Sequence, residues 1–327
     1  MPAPEAAIQR RAPKAPPLFS FNGIYRPGTV PASTHQSPRG PMTHPLDRRP
    51  ILRMNGAGNE ILVLDLRGID HDLSPAEARA IAVQPDLRFD QLMVIKDPHR
   101  PGYDAFLQIY NVDGSLSGAC GNGTRCVAWT LAREGKNHLR LETVSGRIET
   151  RREGEALFTV DMGPPRLDWK EIPLACAADT NAVSLDPPVP GAPAQFSAVN
   201  MGNPHAVFFV GDVASVDLES LGSVIENHPL FPNRVNVSFA QVCAPDDVLL
   251  RVWERGAGAT QACGTAACAT LVAGARRGLT HRRARLCLPG GKLTIDWRDD
   301  NHVTMTGPIE FEFETQLDAT IFAGHGA

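Results

Sequence analysis

The sequence predicts a strand-rich α/β (α+β) protein built from two copies of one domain. Three observations support this prediction. Short apolar runs alternate with loops rich in glycine and asparagine, helical patterns are few, and several motifs recur at a nearly constant spacing. The regular strand–helix–strand rhythm of a doubly wound parallel sheet is missing. We therefore expect mixed sheets rather than a parallel one.

The composition is that of a globular protein and excludes several classes of function. Of the 327 residues, 43% are hydrophobic and 21% are charged, and the net charge of −4 is too small to attract nucleic acid or an anionic membrane. No stretch approaches the roughly 20 apolar residues that span a bilayer. The odd number of cysteines, seven, and the lack of an apolar secretion segment indicate reduced thiols in a cytoplasmic protein. The lack of a CxxC pair argues against a structural zinc site, so no metal site is predicted.

Residues 1–50 differ from the rest and are predicted to form a disordered, proline-rich extension. They hold eleven prolines and seven basic residues against two acidic ones. Such a segment buries too little apolar surface to offset the entropy lost on ordering it. The apolar part of a secretion signal is missing, and translation from Met42 or Met54 is an alternative explanation of the segment.

Strands and helices can be assigned in chain order. Four apolar runs are predicted strands: Ile61–Leu64, Leu92–Ile95, Ala206–Val210 and Val235–Phe239. Ser74 and Pro75 predict a helix start, with serine as the N-cap and proline in the first turn. Two further helices are predicted to begin at Cys120 and Cys263, because each cysteine precedes a glycine and then an apolar helical stretch.

An internal repeat of long period is the most informative feature. Four pairs of motif residues are separated by 143 to 145 positions: Asn59 and Asn203, Gln91 and Asn236, Asn111 and Glu254, and Cys120 and Cys263. Four matches at nearly one spacing indicate a duplicated domain whose two copies face each other.

Each copy carries a cysteine at a predicted helix start. The first N–H groups of a helix have no acceptor within it, so they lower the pKa of a nearby thiol and bind an anion such as a carboxylate. We therefore expect thiolate to be accessible near neutral pH at Cys120 and Cys263. In a duplicated domain these two thiols would lie on opposite sides of one bound molecule.

Two opposed thiols suit the inversion of a carbon stereocentre. One group must remove a proton from one face while a second group returns a proton to the other. A thiolate and a thiol meet this demand, and helix N–H groups would stabilise the carbanion without a cofactor. No phosphate-binding loop is present, and Gly56-Ala57-Gly58 is only a fragment of a dinucleotide fingerprint. The pattern predicts a cofactor-independent racemase or epimerase.

A structural role is the alternative for each cysteine, because free cysteine is among the most buried residue types. The matched Ala-Cys-Gly contexts favour a chemical role for Cys120 and Cys263. Cys126 and Cys268 fall on the following helical turns and are predicted core residues. The other three cysteines have no partner motif: Cys176, Cys243 and Cys287.

The motifs resemble those of the diaminopimelate epimerase family. The resemblance rests on Asn111–Ser115, Ala119–Cys126, Met201–His205 and Glu254–Gly264, and it covers about residues 51–315. It implies epimerisation of LL-diaminopimelate to the meso form, a step toward lysine and peptidoglycan, with no cofactor. It also implies a homodimer whose only other partner is a small-molecule substrate.

The fold implied by the resemblance is two pseudo-symmetric domains, each a curled mixed sheet around a central helix. The N-terminal domain would span residues 51–164 together with a C-terminal segment, 309–323. The second domain would span residues 165–308, with the site in the cleft between the two.

The resemblance also implies roles for individual residues. Cys120 and Cys263 would be the acid/base pair, with His205 and Glu254 assisting their proton balance. Glu254 would alternatively hold the substrate ammonium, and the two roles are compatible.

Substrate binding would use N–H groups at one end and side chains at the other. The proximal carboxylate would be held at the helix starts by Gly121, Asn122, Gly264 and Thr265. Arg255 would bind the distal carboxylate bidentately. The amides that bind the remaining polar groups would be Asn59, Gln91, Asn111, Asn203 and Asn236.

Two departures from the family pattern occur. Asn55 and Glu60 replace the His and Asp common in the first motif, and Phe313 stands where an aromatic residue of the dimer interface, often tyrosine, is expected. Neither touches the two-base chemistry.

Three alternative functions remain open. A proline racemase or hydroxyproline epimerase of the same superfamily acts on a single amino-acid head, so it would not require Arg255 and the amide cluster. A non-catalytic amino-acid or anion-binding protein would use the helix starts with inert thiols. A thiol redox protein is disfavoured because CxxC is missing.

Overall fold

The structure is a computed structural model that describes residues 44–323. The predicted disorder of residues 1–43 lies outside the described residues. Residues 44–50 are folded, since Leu46 is fully buried and Pro50 opens the first strand. The predicted extension therefore reaches too far along the chain, because Leu46 packs into an apolar cluster with Phe322 and Leu317.

The first half of the described chain contains strands β1–β8 and helices α1 and α2. In order these are β1 (Pro50–Gly56), β2 (Asn59–Asp65), α1 (Pro75–Ala82), a 3-10 turn (Pro85–Leu87), β3 (Gln91–Lys96), β4 (Ala105–Asn111), β5 (Leu116–Ser117), α2 (Gly121–Ala132), β6 (His138–Thr143), β7 (Gly146–Arg152) and β8 (Leu157–Asp161).

The second half contains β9–β18 and helices α3 and α4. In order these are β9 (Val183–Ser184), β10 (Gln195–Asn200), β11 (Pro204–Phe209), α3 (Leu218–Glu226), β12 (Asn236–Ala244), β13 (Asp247–Glu254), β14 (Gly258–Thr260), α4 (Gly264–Arg276), β15 (Arg283–Leu288), β16 (Gly291–Trp297), β17 (Val303–Pro308), β18 (Glu310–Gln316) and a 3-10 turn (Ala319–Phe322).

All four predicted strands and all three predicted helix starts are present. The four apolar runs fall in β2, β3, β11 and β12, although Val210 and Val235 lie one residue outside their strands. At α1, Ser74 is the N-cap: its hydroxyl accepts from Glu77 N, and the Glu77 side chain accepts from Ser74 N at 2.6 Å. This reciprocal capping box explains why the helix begins there.

The two halves share one strand topology. In the first half, β2 and β3 form a parallel pair. Strand β4 pairs antiparallel with both β3 and β5, and it pairs parallel with β6. The second half repeats this with β11, β12, β13, β14 and β15. The registers also match: Ile61 faces Gln91 as His205 faces Asn236. The sequence repeat is thus a structural repeat.

Each half curls its strands around one helix. α2 is surrounded by a core that includes Ile61, Met93 and Leu141, and α4 by one that includes Val207, Leu250 and Ile295. Both helices are buried on most sides, as their small and apolar residues require. This confirms the predicted fold class of curled mixed sheets around central helices.

Two strand pairs join the halves. β8 pairs antiparallel with β17, and β18 runs back to pair with β1 in the first half. None of the helices among residues 44–323 is both long enough and apolar enough to cross a membrane.

Candidate active site

Residues from both halves line a single cleft of about 1000 Å³. Almost every residue predicted from the sequence to act at a site contributes to it: Asn59, Gln91, Asn111, Cys120, Gly121, Asn122, Asn203, Asn236, Glu254, Arg255, Cys263, Gly264 and Thr265. His205 does not line the cleft. The repeat therefore brings together side chains that are far apart in the sequence.

The two cysteines occupy equivalent backbone positions. Each is the N-cap of its helix, with φ/ψ of −146°/103° at Cys120 and −136°/108° at Cys263. Gly123 N donates to Cys120 Sγ at 3.1 Å, so the thiol takes the place of a serine or threonine cap. Both sulfurs therefore lie beside the unpaired N–H groups of a helix start.

The starts of α2 and α4 approach each other closely. Gly121 and Gly264 both pack on Met305, and a Cβ added to Gly264 would lie 2.8 Å from Met305 Sδ and 3.3 Å from Asn122 Oδ1. The Asn122 side chain thus reaches from one helix start to the other, and its buried Oδ1 has no partner among the described residues. Because the first residue of each helix is a glycine, no side chain of that residue blocks the approach of the two helix starts.

Burial raises the pKa of both thiols, contrary to the expectation from the helix starts alone. Desolvation raises the pKa of Cys120 to about 11, although the Gly123 N–H and the charge of Arg125 lower it. The pKa of Cys263 is raised well above its usual value, first by burial and then by the Glu254 charge. Desolvation outweighs the helix here, since Cys263 is buried and Cys120 is half-buried.

Glu254 lies beside Cys263. Its carboxylate accepts from Thr260 Oγ1 at 2.6 Å, and its charge raises the pKa of the Cys263 thiol. Burial raises the pKa of Glu254. A carboxyl group with a raised pKa in the same cleft as a thiol can take part in its proton transfers.

Arg255 follows Glu254 and is held by its backbone and its side chain. Arg255 N donates to Asn236 Oδ1 at 3.0 Å, and Arg255 Nη1 donates to the Asn233 carbonyl at 3.1 Å. Asn236 Nδ2 in turn donates to the Pro204 carbonyl at 2.9 Å. Asn236 therefore orients the arginine as well as lining the cleft.

The amide cluster on the first half is organised by Asp90, which sequence reasoning did not identify. Asp90 Oδ2 accepts from Asn59 Nδ2 at 3.3 Å and from Glu60 N at 2.9 Å. Asn59 Oδ1 accepts from Asn122 Nδ2. A chain of side chains thus runs from the cleft wall to the start of α2. The only sequence signal was the position of Asp90 next to Gln91.

His205 lies behind the cleft wall. It is fully buried, and its Nε2 lies 2.9 Å from Asn203 Oδ1. Burial, with a smaller effect of the Arg255 charge, lowers its pKa to about 3. The ring is therefore neutral at physiological pH, and it contacts the cleft through Asn203.

Two further residues were missed because they belong to no repeated motif. Arg234 lines the cleft and pairs with the buried Glu226 at 3.1 Å. Glu226 also accepts from Trp253 Nε1 at 2.7 Å and from Gly256 N at 2.8 Å. Glu226 thereby fixes the turn that carries Arg255.

The two departures in the first motif lie outside the cleft. Asn55 Oδ1 accepts from Gly58 N at 2.7 Å and stabilises the turn before Asn59. Glu60 forms an ion pair with Arg53 at 2.8 Å and is half exposed. Neither change alters a residue that faces the cleft.

One group of side chains outside the cleft has the composition of a metal site. His44 Nε2 and His71 Nε2 lie 3.0 and 2.8 Å from Glu77 Oε1. Leu46 N donates to His44 Nδ1 at 3.2 Å, so the proton of the neutral ring is on Nε2. That nitrogen then donates to Glu77 rather than offering a lone pair to a metal ion. These residues form a partly buried polar cluster at the first turn of α1.

Comparison with solved structures defines the fold class. A predicted epimerase from Pseudomonas aeruginosa aligns with a TM-score of 0.59 at 16% identity, over 82% of this chain and 99% of that one. A hydroxyproline epimerase from Agrobacterium vitis aligns with a TM-score of 0.56 at 15% identity, over 83% of this chain and 93% of that one. The chain thus has the two-half fold seen in epimerases of this kind.

Comparison of sequences defines the family. The model of the family described as diaminopimelate epimerase matches residues 53–167 and 197–312. Diaminopimelate epimerase of Methylocella silvestris is 54% identical over 292 residues, which are 87% of this chain and 100% of the relative. Diaminopimelate epimerase of Methylorubrum populi is 55% identical over 294 residues, which are 86% of this chain and 98% of that relative. The chain belongs to the diaminopimelate epimerase family, and it is an isomerase.

Proposed function

We propose that this chain interconverts LL- and meso-diaminopimelate by proton transfer between two thiols. One observation carries the proposal. Cys120 and Cys263 are matching N-caps that line the same cleft, and the helix starts that they cap both pack on Met305. Such a site can present a sulfur to each face of one α-carbon while the N–H groups bind its carboxylate. The relatives named above support diaminopimelate as the substrate.

The reaction balances without another reactant. One cysteine, as thiolate, takes the α-proton, and the electron pair remains on the substrate as a carbanion stabilised by the bound carboxylate. The other cysteine, as thiol, donates its proton to the opposite face and becomes the thiolate. The four N–H groups at the helix starts, from Gly121, Asn122, Gly264 and Thr265, would stabilise the charge that develops on the carboxylate.

The far end of the cleft suits a second amino-acid head. Arg255 offers a guanidinium for a carboxylate, and amide side chains from both halves line the same cleft. A substrate with a single head would have no second carboxylate for the Arg255 guanidinium to bind. This favours diaminopimelate over proline or hydroxyproline.

Deuterium incorporation tests the proposal against its alternatives. The protein is incubated in heavy water with LL-diaminopimelate, L-proline or 4-hydroxyproline, and the α-deuterium and optical rotation are followed. We expect exchange and inversion with LL-diaminopimelate only. Exchange with proline alone would indicate a racemase for single-headed substrates, and no exchange with any substrate would indicate a binding protein.

We further propose a homodimer that uses the free edge of β18. Every residue of β18 is exposed, and the strand pairs only with β1 among the described residues. Phe311 stacks on Trp129 at 5.2 Å, and Phe313 is 37% exposed. Light scattering should give twice the chain mass, and Phe313→Asp should give the monomer. A monomeric wild type would contradict this assembly.

Cytoplasmic location is also a proposal. All seven cysteines are free thiols, and the proposed chemistry requires Cys120 and Cys263 to stay reduced. Cell fractionation with antibody detection would test it, and recovery of the protein outside the cytoplasmic fraction would contradict it.

A further inference from the structure

Arg125 is a buried cation without an acidic partner. It lies in α2 and is fully buried, and no carboxylate among residues 44–323 pairs with it. Its Nη1 lies 3.6 Å from Met305 Sδ, while Nε and Nη2 have no partner in the described part of the chain. A guanidinium stays protonated in proteins, and an uncompensated buried charge is strongly unfavourable. The position therefore requires a source of negative charge.

The guanidinium lies directly beneath the junction of the two helix starts. Its contact, Met305, is the same side chain on which Gly121 and Gly264 pack. The fold also leaves space for it, because a Cβ added to Gly307 would lie 3.0 Å from Arg125 Cζ. One side chain thus separates the cation from the N–H groups at which a carboxylate would bind.

The neighbours of Arg125 do not neutralise it. The ionisable groups whose charge acts on the pKa of Arg125 are the thiols of Cys126, Cys120 and Cys268. Cys126 and Cys268 are fully buried, and desolvation raises the pKa of each to about 12, so both are neutral thiols at physiological pH. Cys120 has a lower pKa than these two, about 11, and it borders the cleft. Negative charge can therefore come close to Arg125 when Cys120 ionises during the reaction or when an anion binds in the cleft.

We propose that Arg125 is a positioning residue whose buried charge stabilises the Cys120 thiolate and the carboxylate bound between the two helix starts. The inference rests on the proposed function. In a medium of low polarity the charge acts over a longer distance than at the surface. It adds to the helix dipoles of α2 and α4, which favour an anion at the same place. Glu254, the other charged group that acts on Cys120, has the opposite effect.

Two neutral variants and one charged variant test the inference. Arg125→Met removes the charge but keeps an apolar chain of similar length, Arg125→Gln removes it but keeps polar groups, and Arg125→Lys keeps it. The rate at which iodoacetamide alkylates Cys120 is measured against pH by peptide mass spectrometry on the free protein. This readout needs no turnover, so it is informative even if diaminopimelate proves not to be the substrate.

We expect the neutral variants to shift the Cys120 alkylation profile to higher pH and to lower the alkylation rate at pH 8 about ten-fold. Their kcat/KM should fall by at least the same factor, while Arg125→Lys stays near wild type in both. The melting temperature of Arg125→Met should be unchanged or higher, because replacing a buried charge by an apolar group is often stabilising.

Arg276 supplies a matched control. It lies at the end of α4, burial lowers its pKa too, and its Nη1 lacks a partner among the described residues. Arg276→Met should leave Cys120 alkylation and kcat/KM unchanged. Unchanged alkylation in the neutral Arg125 variants would overturn the proposal, and so would failure of both neutral variants to fold, since Arg125 would then have a structural role.

Discussion

The two cysteine sites have the same backbone conformation and different electrostatic surroundings. Cys120 and Cys263 are N-caps with nearly identical dihedral angles. Arg125 lowers the pKa of Cys120, whereas Glu254 raises that of Cys263 through its charge. The repeated fold therefore gives the two thiols the same geometry, and different charged neighbours make their pKa values unequal. In the free protein Cys120 is the more readily ionised of the two.

A second pair of matching positions shows the same divergence in the core. Ile61 and His205 occupy equivalent registers in β2 and β11, and both are fully buried. The first half fills the position with an apolar side chain. The second half buries a neutral imidazole that contacts Asn203. Four changes, from the largest effect to the smallest, test how far the halves are equivalent.

Removal of either thiol should have the largest effect. Cys120→Ala and Cys263→Ala should each lower the epimerisation rate by roughly 10³-fold or more, because acid/base groups contribute about 10²–10⁴-fold. Cys126→Ala and Cys268→Ala are matched controls one turn deeper in each helix and should keep activity. Turnover is followed by deuterium incorporation at the α-carbon. Full turnover by either Cys120→Ala or Cys263→Ala would exclude the two-thiol mechanism.

Loss of the Arg255 guanidinium, which would bind the distal carboxylate, should have the second-largest effect. Arg255→Met should lower kcat/KM for diaminopimelate about 10²-fold, since a hydrogen bond to a charged group contributes roughly 1.5–3 kcal/mol and the grip is bidentate. Arg285→Met, which alters an exposed pair with Asp247, is the control. Steady-state kinetics measures both. An Arg255→Met enzyme with unchanged kinetics would mean that the distal carboxylate binds elsewhere.

Exchange of the core pair should change acid stability. The pKa of His205 is lowered from 6.5 to about 3, so below pH 6.5 the unfolded chain binds a proton that the folded protein does not. The free energy of unfolding therefore decreases as the pH is lowered below 6.5. The decrease is about 1.4 kcal/mol per pH unit, which gives roughly 2 kcal/mol at pH 5. His205→Ile should remove this contribution in urea titrations at pH 8 and pH 5. Ile61→His should add an equivalent one, and an unchanged pH dependence in both would contradict the lowered pKa.

The smallest effect should come from neutralising Glu254. Glu254→Gln removes the charge that raises the pKa of Cys263, so the alkylation profile of Cys263 should move down in pH toward that of Cys120. In the wild type both rates should rise with pH, and Cys120 should react first. Peptide mass spectrometry resolves the two sites in one sample. A wild type in which Cys263 reacts first would reverse the comparison.

The strands and helix starts could be read from local sequence because their determinants are local. Apolar runs define β2, β3, β11 and β12, and Ser74 with Glu77 defines the start of α1. The repeat marked eight cleft residues as four pairs, and the resemblance to the family supplied the other predicted ones, Arg255 among them. Arg234 and Glu226 could not be assigned from the sequence, because neither belongs to a repeated motif. Their role depends on an ion pair that joins the end of α3 to the loop before β12.

The sequence by itself determined the duplication, the paired thiols at helix starts and the family. Only the tertiary structure decided the ionisation of those thiols. A helix start lowers a thiol pKa through local dipoles, whereas desolvation depends on everything packed around the sulfur. Burial outweighed the helix at both cysteines, and the packing placed the unpaired charge of Arg125 where it lowers the pKa of Cys120.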